Sequence, residues 1–354
     1  MALLFNDIKD DVFTIPLPNS DLIFTRYLYI KDEVKISLLL SLLEKSENAL
    51  FWANELFTSG FKQETFAYIW QIYYDFYATL NLSFENYLLK KHIEWNTNIN
   101  NTNANNIITN IIQHLLVCSM NTDVYLLRNI CDQFEIDIEY KTTNITSIET
   151  HDLLVEHIGY WVETEEYRSL TQTILFTTYQ YNYTLVYTDC LHKVFPTIHK
   201  KNTLLRSFVS SLQVPVNPKV ILFAKIMELC TRKKGLKQNN NEIKQITATI
   251  DLDTNVKVYN VLKHVYNKWP IHNNIWLFKL VRNKYSENGL KKAWLHNWEY
   301  HASFSPLWLD RIKRGGGYIN YTYKRLEFIN DECMEAFYSQ YGYEPDEQPV
   351  TIRD

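Results

Sequence analysis

A chain of 354 residues with 46% hydrophobic and 15% aromatic side chains has enough apolar content to bury one large core or two ordinary ones, which excludes the disordered class. A net charge of −4 gives no global electrostatic pull toward nucleic acid or membrane. Only 8 glycines, far below the roughly 7% of ordinary proteins, leave few positions for positive φ, so phosphate-cradling loops, dinucleotide-binding turns and many-turned β-sandwiches lose ground to helices on short polar loops.

Residues 1–30 read as an extended arm, because Pro16 and Pro18 forbid a helix and aromatic residues alternate through IFTRYLYI. DEVKISLLLSLLEK then predicts a helix, with Asp32 and Glu33 at the positive end of its dipole and Val34, Leu38 and Leu42 on its apolar face. SENALFWANELFTSG predicts a second, capped by Ser46 and stopped by Gly60. A third, aromatic helix carries Phe66, Ile69, Trp70, Tyr73, Tyr74, Phe76 and Tyr77 at spacings of three and four; that pattern is a core stripe rather than a base-stacking surface. A fourth, SFENYLLKKHIEW, is capped by Ser83. The asparagine run NTNINNTNANN at 96–106 cannot feed a core and reads as a linker.

NIITNIIQHLLVCSM and TDVYLLRNICDQF predict another helical pair, followed by IETHDLLVEHIGYWVETEEY. Between Arg168 and Phe195 strand propensity competes with helical periodicity, and helix is expected. Asn217 and Pro218 open a helix that ends at Gly235 after a basic last turn. TNVKVYNVLKHVYNKW, NIWLFKLVRNKY and LKKAWLHNWEYHASF continue the helical theme. Gly315, Gly316 and Gly317 introduce a tail in which YINYTYKRLEFI can pair as a β-hairpin before a last helix, DECMEAFYSQY. The expected fold is therefore all-α: stacked antiparallel helical hairpins, as a HEAT-like solenoid or an irregular bundle, with a small β-hairpin near the C-terminus. The corresponding divisions are 1–95, an arm and helical hairpins; 96–106, the linker; 107–314, a helical body; and 315–354, the tail.

Chemistry is sparse. There is no HExxH, GxSxG, GxxxxGK[ST] or kinase signature. His296 and His301 are five apart, about 500° around a helix, and so are poorly aligned for one metal. His151, Asp152, Glu156 and His157 form the one cluster that acid–base chemistry could use, but a solvated helix face opposite Leu153, Leu154 and Ile158 is the stronger reading. The five cysteines, Cys118, Cys131, Cys190, Cys230 and Cys333, never form a CxxC pair and read as reduced, largely buried thiols. No catalytic residue, cofactor site or metal site is assigned.

The start, MALLFNDIKDD, lacks the basic n-region of a secretory signal, and no apolar run approaches the roughly 20 residues of a membrane span. Basic residues gather at Lys90 and Lys91 beside His92, at Lys200 and Lys201, at Arg232, Lys233, Lys234 and Lys237, and at Arg311, Lys313 and Arg314. Several fall at predicted helix C-termini, where they complement the dipole. Aligned at one end of successive hairpins, they would also form a phosphate- or partner-facing edge.

TRYLYIKDEVKISLLLSLLEK with ALFWANELFTSGF, then IWQIYYDFYATLN, and finally NWEYHASFSPLWLDRI with FYSQYGYEPDEQ resemble a poorly characterised family of proteins encoded by giant, mimivirus-like nucleocytoplasmic large DNA viruses. The resemblance transfers no catalytic residue. It implies a viral protein of the host cytoplasm or viral factory, or of the virion itself. The first expectation is a non-enzymatic helical scaffold of a viral gene-expression complex, similar to a HEAT-type translation-initiation scaffold that holds a helicase, a cap-binding partner or RNA. A cap-binder motif of the Tyr-x4-Leu kind is absent; Tyr125 with Ile130 and Cys131 comes nearest. The alternatives are a minor capsid protein and an unmarked nucleic-acid enzyme.

Overall fold

A computed structural model describes residues 22–97, 104–129, 150–177, 179–234 and 287–342. The protein is all-α, with one small antiparallel β-hairpin among the described residues. It divides into two compact units. Among the described residues, the first comprises 22–65 and 287–342, and the second comprises 66–97, 104–129, 150–177 and 179–234. The helices expected at 254–269 and 274–285, residues 1–21 of the arm, and the end of the tail lie outside the described residues.

The first unit begins where α1 (Lys31–Leu43) and α2 (Asn48–Thr58) pack as a helical hairpin. α2 starts two residues after the predicted cap, because Ser46 Oγ accepts the Asn48 amide (3.3 Å) from outside the helix. Its end is as expected, with Gly60 at φ +97°. The far part of the chain supplies α12 (Glu287–His296), α13 (Trp298–Ala302), α14 (Pro306–Arg314), β1 (Gly317–Asn320), β2 (Arg325–Phe328) and α15 (Asp331–Tyr341). Ser305, with Pro306 as first helical residue, caps α14, and Asn330 caps α15 through the Cys333 amide. β1 and β2 pair from Gly317 opposite Phe328 to Asn320 opposite Arg325. One core cluster gathers Phe24 and Ile30 of the arm with Trp298, Trp308, Ile312 and Phe337. The arm is stitched down by backbone acceptors: Trp308 Nε1 donates to the Thr25 carbonyl (3.0 Å), and the Phe24 amide donates to the His301 carbonyl (3.2 Å).

In the second unit α3 (Lys62–Ile72), within which the division falls, widens into a π-helical turn at Tyr73–Tyr77. There follow α4 (Leu82–Thr97), α5 (Ala104–Val117), a helical stretch α6 at 123–129, α7 (His151–Glu163) and α8 (Tyr167–Leu175). α9 (Tyr183–Asp189) runs into a second π turn at Cys190–Val194, before α10 (Lys201–Ser211) and α11 (Pro218–Lys233). The ambiguous stretch 168–195 is therefore two helices, the second opened by Asn182, whose side chain accepts the Leu185 amide. The asparagine run proves partly helical, because α4 reaches Thr97 and α5 starts at Ala104; residues 98–103 lie outside the described residues. Ser83 sits inside the first turn of α4 rather than before it.

Every residue of α11 from Ile221 to Thr231 is buried, so this helix is a central rod rather than an amphipathic surface helix. It packs on α8, on α9 and on the π turn at 73–77. A solenoid would confine each hairpin to its sequence neighbours. Contact across so long a separation makes the second unit an irregular bundle, the second of the two arrangements expected.

The aromatic stripe is core, as its spacing implied: Trp70, Tyr73 and Tyr74 are fully buried. Around it His92 stacks on Phe66 (4.7 Å between centroids) and on Trp95 (5.9 Å). Trp70 Nε1 has a proton and no lone pair to offer, so the His92 Nδ1 it meets at 3.1 Å must be the acceptor of a neutral ring. Burial pushes His92 down to about 4. An unfolded chain protonates this histidine at its ordinary value near 6.5 while the folded one does not. Stability is therefore full above about pH 6.5 and falls as pH drops toward 4, by up to about 3 kcal/mol at 1.36 kcal/mol per pH unit. Urea unfolding at pH 7 and pH 4.5 is expected to reveal the loss, and His92→Gln is expected to flatten that window.

Candidate functional site

The second unit holds a buried charge network that the sequence reading passed over. Glu85 of α4 accepts from Tyr74 Oη (2.8 Å) and Ser211 Oγ (2.6 Å) on one oxygen, and from Ser207 Oγ (2.8 Å) and Lys225 Nζ (2.6 Å) on the other. Lys225 also approaches Glu228 at 3.6 Å, and Glu228 accepts from Arg232 at 2.9 Å one turn later. Burial alone would push Glu85 up, but Lys225 and the two serines outweigh it and hold the carboxyl below its ordinary value. Burial alone would likewise push Lys225 down, yet its two carboxylate neighbours raise it. For Glu228 burial wins over Lys225 and Arg232, and the carboxyl is raised. Tyr74 is driven far up by burial and by Glu85, so it stays a neutral donor.

Three features assemble this network. The π turn at 73–77 carries Tyr74, α10 presents Ser207 and Ser211 one turn apart, and α11 presents Lys225, Glu228 and Arg232 along one face. The sequence signal was a lysine and a glutamate inside the apolar run VILFAKIMELC, where a surface helix would have no reason to place charge. A second buried pair lies in the same unit: Arg128 grips Asp75 with Nε on one oxygen (3.2 Å) and Nη2 on the other (2.7 Å). Lys225, Glu85 and Glu228 are between 0% and 4% exposed at the side chain, so these three charges are sealed from solvent. A sealed lysine between carboxylates is positioned to hold helices together.

The cluster at His151 is rearranged relative to expectation. His157 Nδ1 meets the Leu153 carbonyl of its own helix at 2.6 Å, and Glu156 is exposed. His151 instead turns to Asp189 at the end of α9, Nε2 to Oδ2 3.1 Å, a partner invisible in sequence at a separation of 38 residues. Lys193 joins, 3.1 Å from Asp189 and 3.6 Å from Asp152. His151, Asp152 and Asp189 are the one group, among the described residues, whose potential metal-ligand atoms lie within 4.8 Å of one another. The Lys193 ammonium already stands between the two carboxylates, where it supplies the charge a cation would. His296 and His301 do not converge either: His296 is exposed, whereas His301 is buried with Nδ1 3.1 Å from the Leu22 carbonyl.

The predicted basic clusters meet different fates. Lys90 and Lys91 lie within α4, two turns before its end, and Lys91 pairs with Glu94. Lys200 and Lys201 open α10, at the positive end of its dipole, so they do not complement it; Lys200 adopts φ +60° to make the turn. Arg232 and Lys233 do close α11, with Lys234 as its cap; Lys234 bonds Glu165 (3.0 Å). Arg311, Lys313 and Arg314 close α14, and the Arg311 guanidinium is held over the rings of Trp308 (4.6 Å) and Tyr341 (5.0 Å). Lys237 lies outside the described residues.

Tyr125 is buried against Phe76 (4.7 Å between centroids), which removes its ring from any cap-like ligand; Ile130 and Cys131 lie outside the described residues. Cys190 and Cys230 are buried free thiols, raised by burial, while Cys118 and Cys333 are partly exposed. A cavity of about 460 Å³ in the second unit is lined by Leu126, Leu127, Met227 and Cys230, with Asp123 and Lys234 as its charged members.

The first unit has the opposite character at its hairpin. Tyr318, Tyr321 and Tyr323 project into solvent, and Ile329 follows at the foot of β2. Ile319, Leu326 and Phe328, on the other face of the ladder, pack into the core. No helix among the described residues is long and apolar enough to cross a membrane. Compared with known proteins, the chain matches no family model, no curated protein and no solved structure.

Proposed function

We propose that the chain is a non-enzymatic helical adaptor that assembles a viral gene-expression complex, with the viral setting taken from the resemblance of its terminal passages. The observation that carries the adaptor reading is the contrast between its two kinds of side chain. The ionisable groups most perturbed by their surroundings are sealed in a helical core and neutralise one another, whereas large aromatic side chains stand in solvent on the hairpin. Perturbed groups in a cleft mark catalysis; perturbed groups without access mark a rigid body. Exposed apolar patches mark contact with another macromolecule.

Affinity capture of the full chain from infected cells, read by mass spectrometry, tests this. Subunits of the transcription or translation machinery are expected in stoichiometric amounts. Recovery of the chain alone from infected cytoplasm, together with stoichiometric abundance in purified particles, would replace the adaptor with a virion structural protein.

A further inference from the structure

The hairpin allows the partner class to be named. Its outward face carries Tyr318 (52% exposed), and its tip carries Tyr321 (48%) and Tyr323 (68%), followed by Lys324 and Arg325. Tyrosine is an economical contact residue, with a broad ring on few rotatable bonds, and three such rings in six positions exceed the scattered exposure of an ordinary surface. The tip is also held in place. Tyr321 leans edge-on against the buried Tyr300 (6.4 Å), Ile319 is packed beneath, and the Asn320 side chain accepts the amides of Thr322 and Tyr323. A stacking surface on a fixed tip loses little entropy when it is used.

Charge favours an anionic occupant. Glu327 is the single carboxylate of 317–328, and it is occupied by Arg325 Nε (2.9 Å), Asn320 Nδ2 (3.0 Å) and the Tyr318 hydroxyl. Those bonds hold it below its ordinary value. From Asp310 to Phe328 the chain has five cations (Arg311, Lys313, Arg314, Lys324, Arg325) and two carboxylates (Asp310, Glu327), 5 − 2 = +3, in a protein whose total is −4. α14, which carries three of those cations, packs against β1. Beyond the foot of β2, the first turns of α15 bring Asp331, Glu332 and Glu335, so the favourable field is confined to the tip side. The Arg325 guanidinium lies 5.3 Å from the Tyr323 ring, an arrangement in which a stacked base gains both a π surface and a nearby cation.

We propose that the tip of this hairpin is a stacking platform for single-stranded nucleic acid, with Tyr321 and Tyr323 each taking a base and Lys324 and Arg325 meeting the adjoining phosphates. Duplex bases are already stacked on one another, so the platform selects unpaired strands. The contact deepens the adaptor reading and rests on it only in treating the hairpin as a working surface.

Fluorescence anisotropy of a labelled single-stranded oligonucleotide of about a dozen bases, titrated with the full chain, tests the platform, a length that covers the roughly 4–16 bases of such sites. Binding is expected to exceed that of the matching duplex. Tyr321→Ala with Tyr323→Ala is expected to weaken it by about 25-fold or more, at about fivefold or more per lost ring. Tyr321→Phe with Tyr323→Phe keeps the rings and is expected to restore it. Lys324→Gln is expected to reduce the slope of log affinity against log salt by about 0.7. The unfolding midpoint should stay put in the phenylalanine and Lys324→Gln variants, and Tyr323→Ala alone, at the most exposed ring, should weaken binding without moving it. Equal affinity for duplex, an unchanged affinity in the double alanine variant, or no binding at low salt would overturn the platform. If the chain still captures protein partners while any of these holds, the adaptor reading stands and the nucleic-acid inference alone falls. Strand binding without protein partners gives the reverse.

Discussion

Replacing Lys225 by methionine is expected to destabilise the second unit by about 3–5 kcal/mol, the usual cost of leaving a buried charge without its partner. Methionine fills much of the same volume, so the effect is electrostatic rather than a cavity. Without the ammonium, Glu85 keeps three hydroxyl donors but no counter-charge, and Glu228 keeps only Arg232. Urea unfolding followed by far-ultraviolet circular dichroism measures the loss. Two companions make the cause decidable. Adding Glu85→Gln to Lys225→Met removes the stranded charge and is expected to recover a large part of the stability. Lowering the pH should also narrow the gap between the single variant and the parent, since a proton then neutralises Glu85. A loss that neither companion changes would assign Lys225 a packing role instead.

Gly60→Ala is expected to cost about 2–5 kcal/mol in the first unit. Part is backbone strain, because φ is +97° and an L side chain in that region costs about 1–2 kcal/mol. The rest is contact: a Cβ at Gly60 would stand 2.6 Å from Pro306 Cβ, and accommodating such overlap costs about 1–3 kcal/mol. Pro306 cannot retreat easily, since Ser305 Oγ and the Leu307 amide on either side both donate to the Ser59 carbonyl, at 3.0 and 3.1 Å. Gly159→Ala is the natural contrast. That glycine lies within α7 at ordinary helical φ, and its added methyl would meet only Val194 at a comfortable 3.5 Å. It is expected to stabilise the protein by about 0.5–1 kcal/mol through reduced chain entropy. Thermal unfolding of the pair should give shifts of opposite sign.

The helical elements were legible because each rested on local rules that tertiary structure had no reason to override. Asn217 with Pro218, the glycine after α2, and the three-and-four spacing of Trp70, Tyr73 and Tyr77 all act within a turn or two of themselves. The hairpin was legible for the same reason, through the alternation of Ile319 with its exposed neighbours. Less legible were the places where a long-range partner decides. The two π turns carry no sequence mark, and the first of them carries the Tyr74 whose hydroxyl reaches Glu85. His151 looked toward Glu156 and His157 on its own helix, yet Asp189 claims it. Several of the basic clusters were expected at helix C-termini, and Lys90 and Lys91 inside α4, with Lys200 and Lys201 at the start of α10, show that charge does not fix where a helix stops. Lys225 and Glu228 were visible as charges in an apolar run, but their meaning required Glu85, 140 positions from Lys225, to be brought beside them.

The stitching of the arm to α14 bears on how the protein is made. Trp308 bonds the Thr25 carbonyl across 283 positions of sequence, so the arm and the first helical pair leave the ribosome long before the residues that cover them. At roughly 5–20 residues per second that interval is roughly 15–60 s. Throughout it Phe24, Ile30 and their neighbours have no Trp298, Trp308 or Phe337 to pack against. The second unit, drawn from the middle of the chain, has no such wait. Synthesis therefore delivers a finished second unit while the first is still incomplete. The first unit can close only when translation nears its end, and in the meantime its apolar arm is a natural client for chaperones.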